Sequence, residues 1–329
     1  MRAATFEAFG PPEVVSIREV PTPTPADDQV LIRVHATTVS AADRRLRSRD
    51  VPTGFGIFVR LIFGWSRPKQ PILGTDAAGV VVAVGKSVTR FSPGDAVIAF
   101  VGAKTGCHAE YVCVGEGDAI IPKPSSVSFE DAVAMCFGGT TALHYFREAA
   151  LAPGERVLIF GATGAVGSAA IQLAKQRGAH VTAVCGATNV ALARELGAAE
   201  VIEYTQQDAL ATGKAYDVIM DNVGSAPFAL AKASLARGGR LLAVVASLPA
   251  IVGAAWVALA TDKRVVVGSA PERAADLVEL VQLVETGRFK PVIGARFPLD
   301  AIVEAHRLAD SGHKRGSAVV LPIAEGPRG

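Results

Sequence analysis

The apolar run RVLIF (156–160) passes without a break into GATGAVG (161–167) and then into SAAIQLAKQRGA (168–179). A short β-branched run reads as a buried strand, the glycines as a tight turn, and the Ala-rich segment as a helix beginning inside the loop. Five further short runs follow at similar intervals: HVTAV (180–184), EVIEY (200–204), DVIM (217–220), RLLAVV (240–245) and RVVVGS (264–269). Helix-length segments such as NVALAREL (189–196) separate them. Six buried strands alternating with helices predict an α/β fold with a parallel, doubly wound sheet.

The glycine loop carries the chemistry. Gly161, Ala162, Thr163, Gly164, Ala165, Val166 and Gly167 are the candidates for holding a dinucleotide. Their backbone can approach a pyrophosphate, whose charge the helix N-terminus and its free N–H groups stabilise. The spacing is G-x-x-G-x-x-G, with Ala162 standing where G-x-G-x-x-G has its first glycine. A bare turn without ligand would also use such glycines; the strand before, the helix after and the βα units downstream favour the cofactor.

The tip of the second strand reads Val184-Cys185-Gly186-Ala187-Thr188-Asn189, with no carboxylate before Glu195. An acid there holds the ribose 2′-hydroxyl of NAD and repels a 2′-phosphate, so its absence favours NADP, although the tip carries no Lys or Arg either. Gly186 therefore joins the candidate set, with Asn222, Val223, Val245 and Ser269 at the ends of later strands.

The first hundred residues have another rhythm. VLIRVHATTV (30–39), AAGVVVAVG (77–85), DAVIAFV (95–101) and AEYVCV (109–114) are strand candidates separated by turn residues such as Ser92-Pro93-Gly94-Asp95. They predict a partly open β-barrel over residues 1–123, completed by 290–329, where FPLDAIVEAHRLADSG reads as a helix and SAVVLPI as a strand. Residues 124–289 form the dinucleotide-binding domain.

Composition excludes several classes. Lys+Arg number 33 against 31 Asp+Glu, so no basic excess points to nucleic acid or an acidic membrane. Cys107, Cys113, Cys136 and Cys185 include no C-x-x-C pair, which argues against a disulfide scaffold. Leu241 to Ala260 runs twenty residues without a charge, enough to span a bilayer. Ser247, Pro249 and Gly253 break it, and a strand, a turn and a short apolar helix fit better. The start, MRAATFEAFGPP, lacks the apolar core of a secretory signal, so a cytosolic location is expected.

Together with the glycine loop, MRAATFEAFGPPEV, ILGTDAAGVVVAVGKSVTRFSPGDAV (72–97), AEYV (109–112), FGGTTAL (137–143), ELGAAEVIEY (195–204) and YDVIMDNVG (216–224) carry a resemblance that runs nearly end to end. The chain resembles the medium-chain dehydrogenase/reductase superfamily, in its zinc-free quinone-oxidoreductase-like branch, many of whose members are called NAD(P)-dependent alcohol dehydrogenases. The resemblance implies a GroES-like barrel and a Rossmann domain. It places Thr141 near the nicotinamide, where the residue alone reads as a cap for a helix starting there. It places Tyr204 by the adenosine phosphate, where the residue alone reads as a strand-end aromatic. Lys314 to Ser317 matches a basic segment, with Ser317 in place of a frequent Lys.

The same resemblance locates the metal ligands of zinc relatives. Ser40 stands where their first Cys would be, Gly74-Thr75-Asp76 where Gly-His-Glu would be, and Cys136-Phe137-Gly138 near the third position. Hydroxyls do not build a three-ligand catalytic zinc site, so no zinc is expected. Without that Lewis acid, quinones and enones are the favoured acceptors, because conjugation spreads the incoming charge onto oxygen. NADPH-dependent reduction of such a small apolar carbonyl is the expected reaction. The alternatives are an alcohol/aldehyde dehydrogenase of the same superfamily and a low-turnover NADPH-binding redox sensor.

Ser40 and Asp43 are the substrate-site candidates, although Asp43 beside Arg44, Arg45 and Arg47 also reads as a structural ion pair. His35, His108, His144, His180, His306 and His313 show no spacing for ligation and read as surface or satisfied interior residues. The apolar segment Phe55 to Trp65 reads as a lid over the substrate or as plain core. The strand at 264–269, as a sheet edge, predicts a homodimer.

Overall fold

The computed structural model describes residues 1–51, 54 and 56–323. The described residues divide into two compact units: 1–51, 56–137 and 272–323 in the first, and 54 and 138–271 in the second.

The first unit opens with an antiparallel pair, β1 (Arg2–Phe6) and β2 (Val15–Glu19). The strands β3 (Gln29–Val39), β4 (Asp76–Val84), β5 (Ala96–Phe100), β6 (Tyr111–Gly115) and β7 (Ala119–Pro122) follow. Between β3 and β4 lie α1 (Ala41–Ser48) and α2 (Gly56–Phe63). Val30, Ile32, Val34, Ala77, Val81, Val97, Ala99 and Ile120 fill the core between these strands. The lid expected at 55–65 contains α2; Phe55 and the side chain of Phe58 lie outside the described residues, while Leu61 and Trp65 are exposed. Arg49 Nη2 donates to the Gly64 carbonyl at 2.9 Å, and Lys69 Nζ to that of Leu61 at 2.7 Å. Two cations thus cap the carbonyl end of this helix.

Helix α3 (Phe129–Glu148) carries the chain from one unit to the other. The second unit then alternates as its sequence predicts: β8 (Arg156–Phe160), α4 (Ala165–Gln176), β9 (His180–Cys185), α5 (Val190–Glu195), β10 (Glu200–Glu203), β11 (Tyr216–Asp221), α6 (Phe228–Ala231), β12 (Leu235–Ala243), α7 (Leu248–Ala260) and β13 (Arg264–Val266). All six strands are parallel, in the order β10-β9-β8-β11-β12-β13. The chain winds outward from β8 to β10, then restarts on the other side at β11. That reversal opens a crevice at the carboxyl ends of β8 and β11, where ligands of such sheets bind.

The uncharged stretch after Arg240 is the end of β12, a turn capped by Ser247, and α7. No described helix is long and apolar enough to cross a membrane. The apolar helix α7 has no buried residue, and Val252, Trp256 and Leu259 stand exposed on one face. Strand β13 is shorter than the expected 264–269 but does lie at the sheet edge.

The C-terminal residues return to the first unit as α8 (Ala274–Glu285), β14 (Ile293–Pro298), α9 (Ile302–Asp310) and β15 (Ser317–Leu321). Its seven-stranded sheet runs β14-β15-β3-β4-β5-β7, with β6 also on β3. Residues 124–137 and 272–289, which the sequence rhythm places in the dinucleotide-binding domain, group with this unit instead. Helix α8 packs on β7, Ser126 Oγ donates to Glu285 at 2.8 Å, and Arg296 pairs with Glu130.

Candidate functional site

Strand β8 ends at Gly161, whose φ of 63° turns the chain sharply into the loop. Gly164 then caps α4. A Cβ at Gly167 would overlap the Gly161 carbonyl oxygen, so only glycine lets this first turn of α4 settle onto the end of β8. The N–H groups of that turn have no acceptor within the helix and face the crevice end of the sheet. Gly138 of α3 packs likewise against the Ala165–Val166 backbone, with no room for a side chain. Thr141 follows three residues later, on the same side of α3. It therefore does not cap a helix start: α3 runs straight through FGGTTAL, because the bare face of Gly138 is filled by another helix's backbone.

At the end of β11, Asp221 organises the next loop. Its Oδ1 accepts from the N–H groups of Val223, Gly224 and Ser225 at 3.1, 2.8 and 3.2 Å, and Oδ2 from Ala226 at 2.7 Å. Asn222 Nδ2 donates to the Phe160 carbonyl at 2.8 Å, joining the ends of β11 and β8. Its Oδ1 is buried without a hydrogen-bond partner, the kind of orphaned acceptor a ligand hydroxyl would satisfy. Val223 lies against Gly161, and Val245 lines the other side of Gly224. Tyr145 Oη donates to the Gly268 carbonyl at 2.6 Å and lies 3.2 Å from that of Ala243, fixing the chain where Ser269 follows β13. Sequence reasoning missed Asp221 and Tyr145; a strand-final Asp before Asn-Val-Gly-Ser is the only local signal for the first.

On the far side, Gly186 ends β9 and the Tyr204 phenol stands beside it. Tyr204 is exposed, its N–H bonded to the Cys185 carbonyl at 3.2 Å. A carboxylate that the linear reading of the β9 tip overlooked is Glu203, which β-pairing sets opposite Cys185. Thr205 Oγ1 and Gln206 Nε2 already occupy its two oxygens, at 2.7 and 2.8 Å. The cofactor candidates named from sequence thus gather along one sheet edge. The orphaned Asn222 acceptor and the glycine-tight helix start fit a dinucleotide.

Residues 26–125 match the family described as alcohol dehydrogenase GroES-like domain, and residues 196–320 the family described as zinc-binding dehydrogenase. The chloroplastic quinone oxidoreductase QR1 of Triphysaria versicolor is 30% identical over 98% of both chains. The chain belongs to the medium-chain dehydrogenase/reductase superfamily, in its quinone-oxidoreductase-like branch. As such it is an NAD(P)H-dependent oxidoreductase. A mitochondrial NAD(P)H oxidoreductase of Mus musculus is 32% identical over 89% of this chain and 81% of that protein. Among solved structures, the quinone oxidoreductase from Coxiella burnetii aligns with a TM-score of 0.88 at 31% identity, covering 98% of this chain and 99% of that one. The Escherichia coli quinone oxidoreductase complexed with NADPH gives 0.83 at 25% identity, over 98% of this chain and 100% of that one.

In a medium-chain dehydrogenase/reductase, the corner at Ser40 is where a catalytic zinc would be sought. Ser40 caps α1 in a reciprocal box: its N–H and Oγ donate to Asp43 Oδ2 at 2.8 and 2.6 Å, and Asp43 N–H returns to Ser40 Oγ. Thr75 Oγ1 is buried with no partner, and Asp76 is turned to Thr38. The Cys136 thiol donates to the Ala132 carbonyl at 3.1 Å, and burial holds it protonated, well above the ordinary thiol range. Two hydroxyls and a buried thiol do not fit a catalytic zinc. Among the described residues, no three His, Cys, Asp or Glu side chains gather as a metal site.

Two of the arginines beside Asp43 are engaged by other carboxylates. Arg47 pairs with Asp310 at 2.6 Å and Arg44 with Asp50 at 2.6 Å. Asp43 instead accepts from Gly74 N–H at 2.8 Å, is fully buried, and so sets the corner rather than touching a substrate. His306, read as a satisfied interior residue, is interior but lacks a partner on either nitrogen. Burial pushes it well below the ordinary histidine range, so it is neutral.

Proposed function

We propose that this oxidoreductase reduces a quinone, an enone or a related small apolar carbonyl with NADPH, without a metal. The observation that carries the reading is the donor set at the Ser40 corner, where hydroxyls stand in place of zinc ligands. A bound nicotinamide supplies the hydride. The glycine loop and the first turn of α4 hold the pyrophosphate, Asn222 Oδ1 accepts from a ribose hydroxyl, and Thr141 borders the nicotinamide. Tyr204 and Gly186 flank the adenosine phosphate. The acid-free tip from Gly186 to Asn189 supports NADPH over NADH. The Ser40–Ala41 turn borders the acceptor, with Ala41 exposed beside the buried Ser40. Conjugation in the acceptor takes the place of a Lewis acid, so orientation supplies most of the rate. The proton that balances the hydride comes from solvent. A cytosolic homodimer is part of the same reading.

The test is NADPH oxidation followed by absorbance across quinones, enones and aliphatic aldehydes, with NADH beside it and a chelator present throughout. Turnover of quinones or enones that the chelator leaves intact is expected. Activity confined to aldehydes and abolished by the chelator would establish the alcohol dehydrogenase reading. Tight NADPH binding with no turnover would establish the sensor.

A further inference from the structure

Three successive residues where β3 passes into α1 are held by ionisable side chains, those on Thr38 and Val39 coming from distant parts of the chain. Asp76, the first residue of β4, accepts from Thr38 N–H at 2.8 Å and from Thr38 Oγ1 at 2.7 Å. His108 Nε2 lies 2.9 Å from the Thr38 carbonyl oxygen, so that nitrogen carries the proton. Lys314 Nζ donates to the Val39 carbonyl at 2.9 Å. Asp43 takes both the N–H and the hydroxyl of Ser40. Ordinary strand ends are held by backbone or water; here the grip is charged.

The charges around Lys314 explain its place. It faces Asp43 of α1 and Asp76 of β4, both of which favour its charged form. Burial, with the Asp76 charge adding to it, raises the nearby thiols of Cys107 and Cys136, which stay neutral. Of the other charged or titratable groups packed here, Arg47 is engaged by Asp310, His306 is neutral, and His108 is committed to Thr38. Lys314 therefore supplies the positive charge that two buried carboxylates need, although part of its stem reaches the surface.

We propose that Lys314 is a positioning residue for acceptor reduction: its ammonium, bonded to the Val39 carbonyl, fixes the Val39–Ser40 peptide and with it the Ser40–Ala41 turn. This rests on the reading that the turn borders the acceptor. Burial pulls the Lys314 ammonium down to about 8 and pushes the Asp76 carboxyl up to about 7. The corner's charge consequently changes near neutrality, and loss of the Lys314 proton loosens the turn. Arginine in its place would keep the charge at any working pH.

The experiment uses the full chain, NADPH and 1,4-benzoquinone, with Lys314→Met, Lys314→Arg and Ala41→Trp. Lys314→Met is expected to lower kcat/KM for the quinone about tenfold or more. It is also expected to speed amide exchange over residues 38–42, read by mass spectrometry without any acceptor. The Kd for NADPH stays within roughly twofold, because the glycine loop is untouched. In the wild type, kcat/KM falls above about pH 8; Lys314→Arg keeps activity at pH 7 and moves that limb up by about one pH unit or more. An unmoved limb in Lys314→Arg, or unchanged exchange in Lys314→Met, overturns the proposal. If Lys314→Met does not fold, the arginine limb decides alone. Ala41→Trp separates the two readings: a raised KM with silent Lys314 variants overturns only the role of Lys314. An unchanged KM removes the corner from the acceptor site, and the proposal goes with it.

Discussion

Gly167 packs so closely under Gly161 that a methyl group on its α-carbon would overlap the Gly161 carbonyl oxygen. Gly167→Ala must push the start of α4 off the end of β8. NADPH binding is expected to weaken by at least about tenfold, or about 1.4 kcal/mol. Fluorescence titration measures it, with Gly253→Ala as control, since Gly253 lies in α7 with open space around it. An unchanged Kd in Gly167→Ala would show that the loop does not hold the cofactor.

Asp221 gathers four backbone N–H groups on one carboxylate. Replacing it with Ala leaves the most buried of them, that of Ala226, without an acceptor. The expected loss is about 1–3 kcal/mol in urea unfolding, with weaker NADPH binding as the loop at 222–226 relaxes. Asp221→Asn keeps one acceptor oxygen and should lose less. Equal stability of the Ala variant and the wild type would contradict the clamp.

Stability should depend on pH through Asp76. Burial raises its folded-state value from 3.8 to about 7, so the folded chain binds this proton more tightly than the unfolded chain. Its favourable contribution is complete below about pH 4 and is lost as the pH rises through about 7. Lys314 has the opposite history: lowered from 10.5 to about 8, it carries a penalty below pH 8 that fades as the pH rises to 10.5. Below about pH 6.5 the lowered His306 adds a slope of opposite sign, so the Asp76 slope is read as a difference between variant and wild type. Asp76→Asn, neutral throughout, should lack the Asp76 fall, so its Tm should climb relative to the wild type as the pH goes from about 4 to 7. Parallel Tm curves for variant and wild type would refute the assignment.

The open edge of β13 and the exposed face of α7 adjoin, since α7 packs on β13. Trp256 is 69% exposed and Leu259 82%, with Val252 on the same face and no charge within the helix. A second copy pairing along β13 would cover this face, which predicts a dimer by light scattering. Trp256→Asp should yield a single chain with an unchanged circular dichroism spectrum. A wild type that sizes as one chain ends the idea.

How much of this was legible in the sequence follows from the range of each signal. The βα rhythm, the glycine loop and the hydroxyls at Ser40 and Thr75 are local, and each could be read where it stands. The grip on Thr38 to Ser40 could not, because strand pairing brings Lys314 to Val39 across 275 residues of chain. Glu203 was invisible at the tip of β9 for the same reason: it belongs to the next strand and arrives by register. Thr141 was misread as a cap because two glycines argue against a continuous helix. At Gly138 tight packing overrides that propensity. The exposure of α7 was hidden because apolar composition alone does not distinguish a face covered within the chain from one left open.

Strand β15 lies between β14 and β3, inside the seven-stranded sheet rather than at its rim. Its residues leave the ribosome after every other described strand of either sheet. The parallel sheet of residues 138–271 can close while synthesis continues, since every strand it needs has already emerged. The other unit must wait with the Thr37–Val39 end of β3 unpaired on one side until Ser317–Leu321 arrive. A nascent chain is therefore able to close the sheet that carries its glycine loop before it owns a finished Ser40 corner, and premature termination shortly before residue 317 would leave the other sheet with an exposed strand edge.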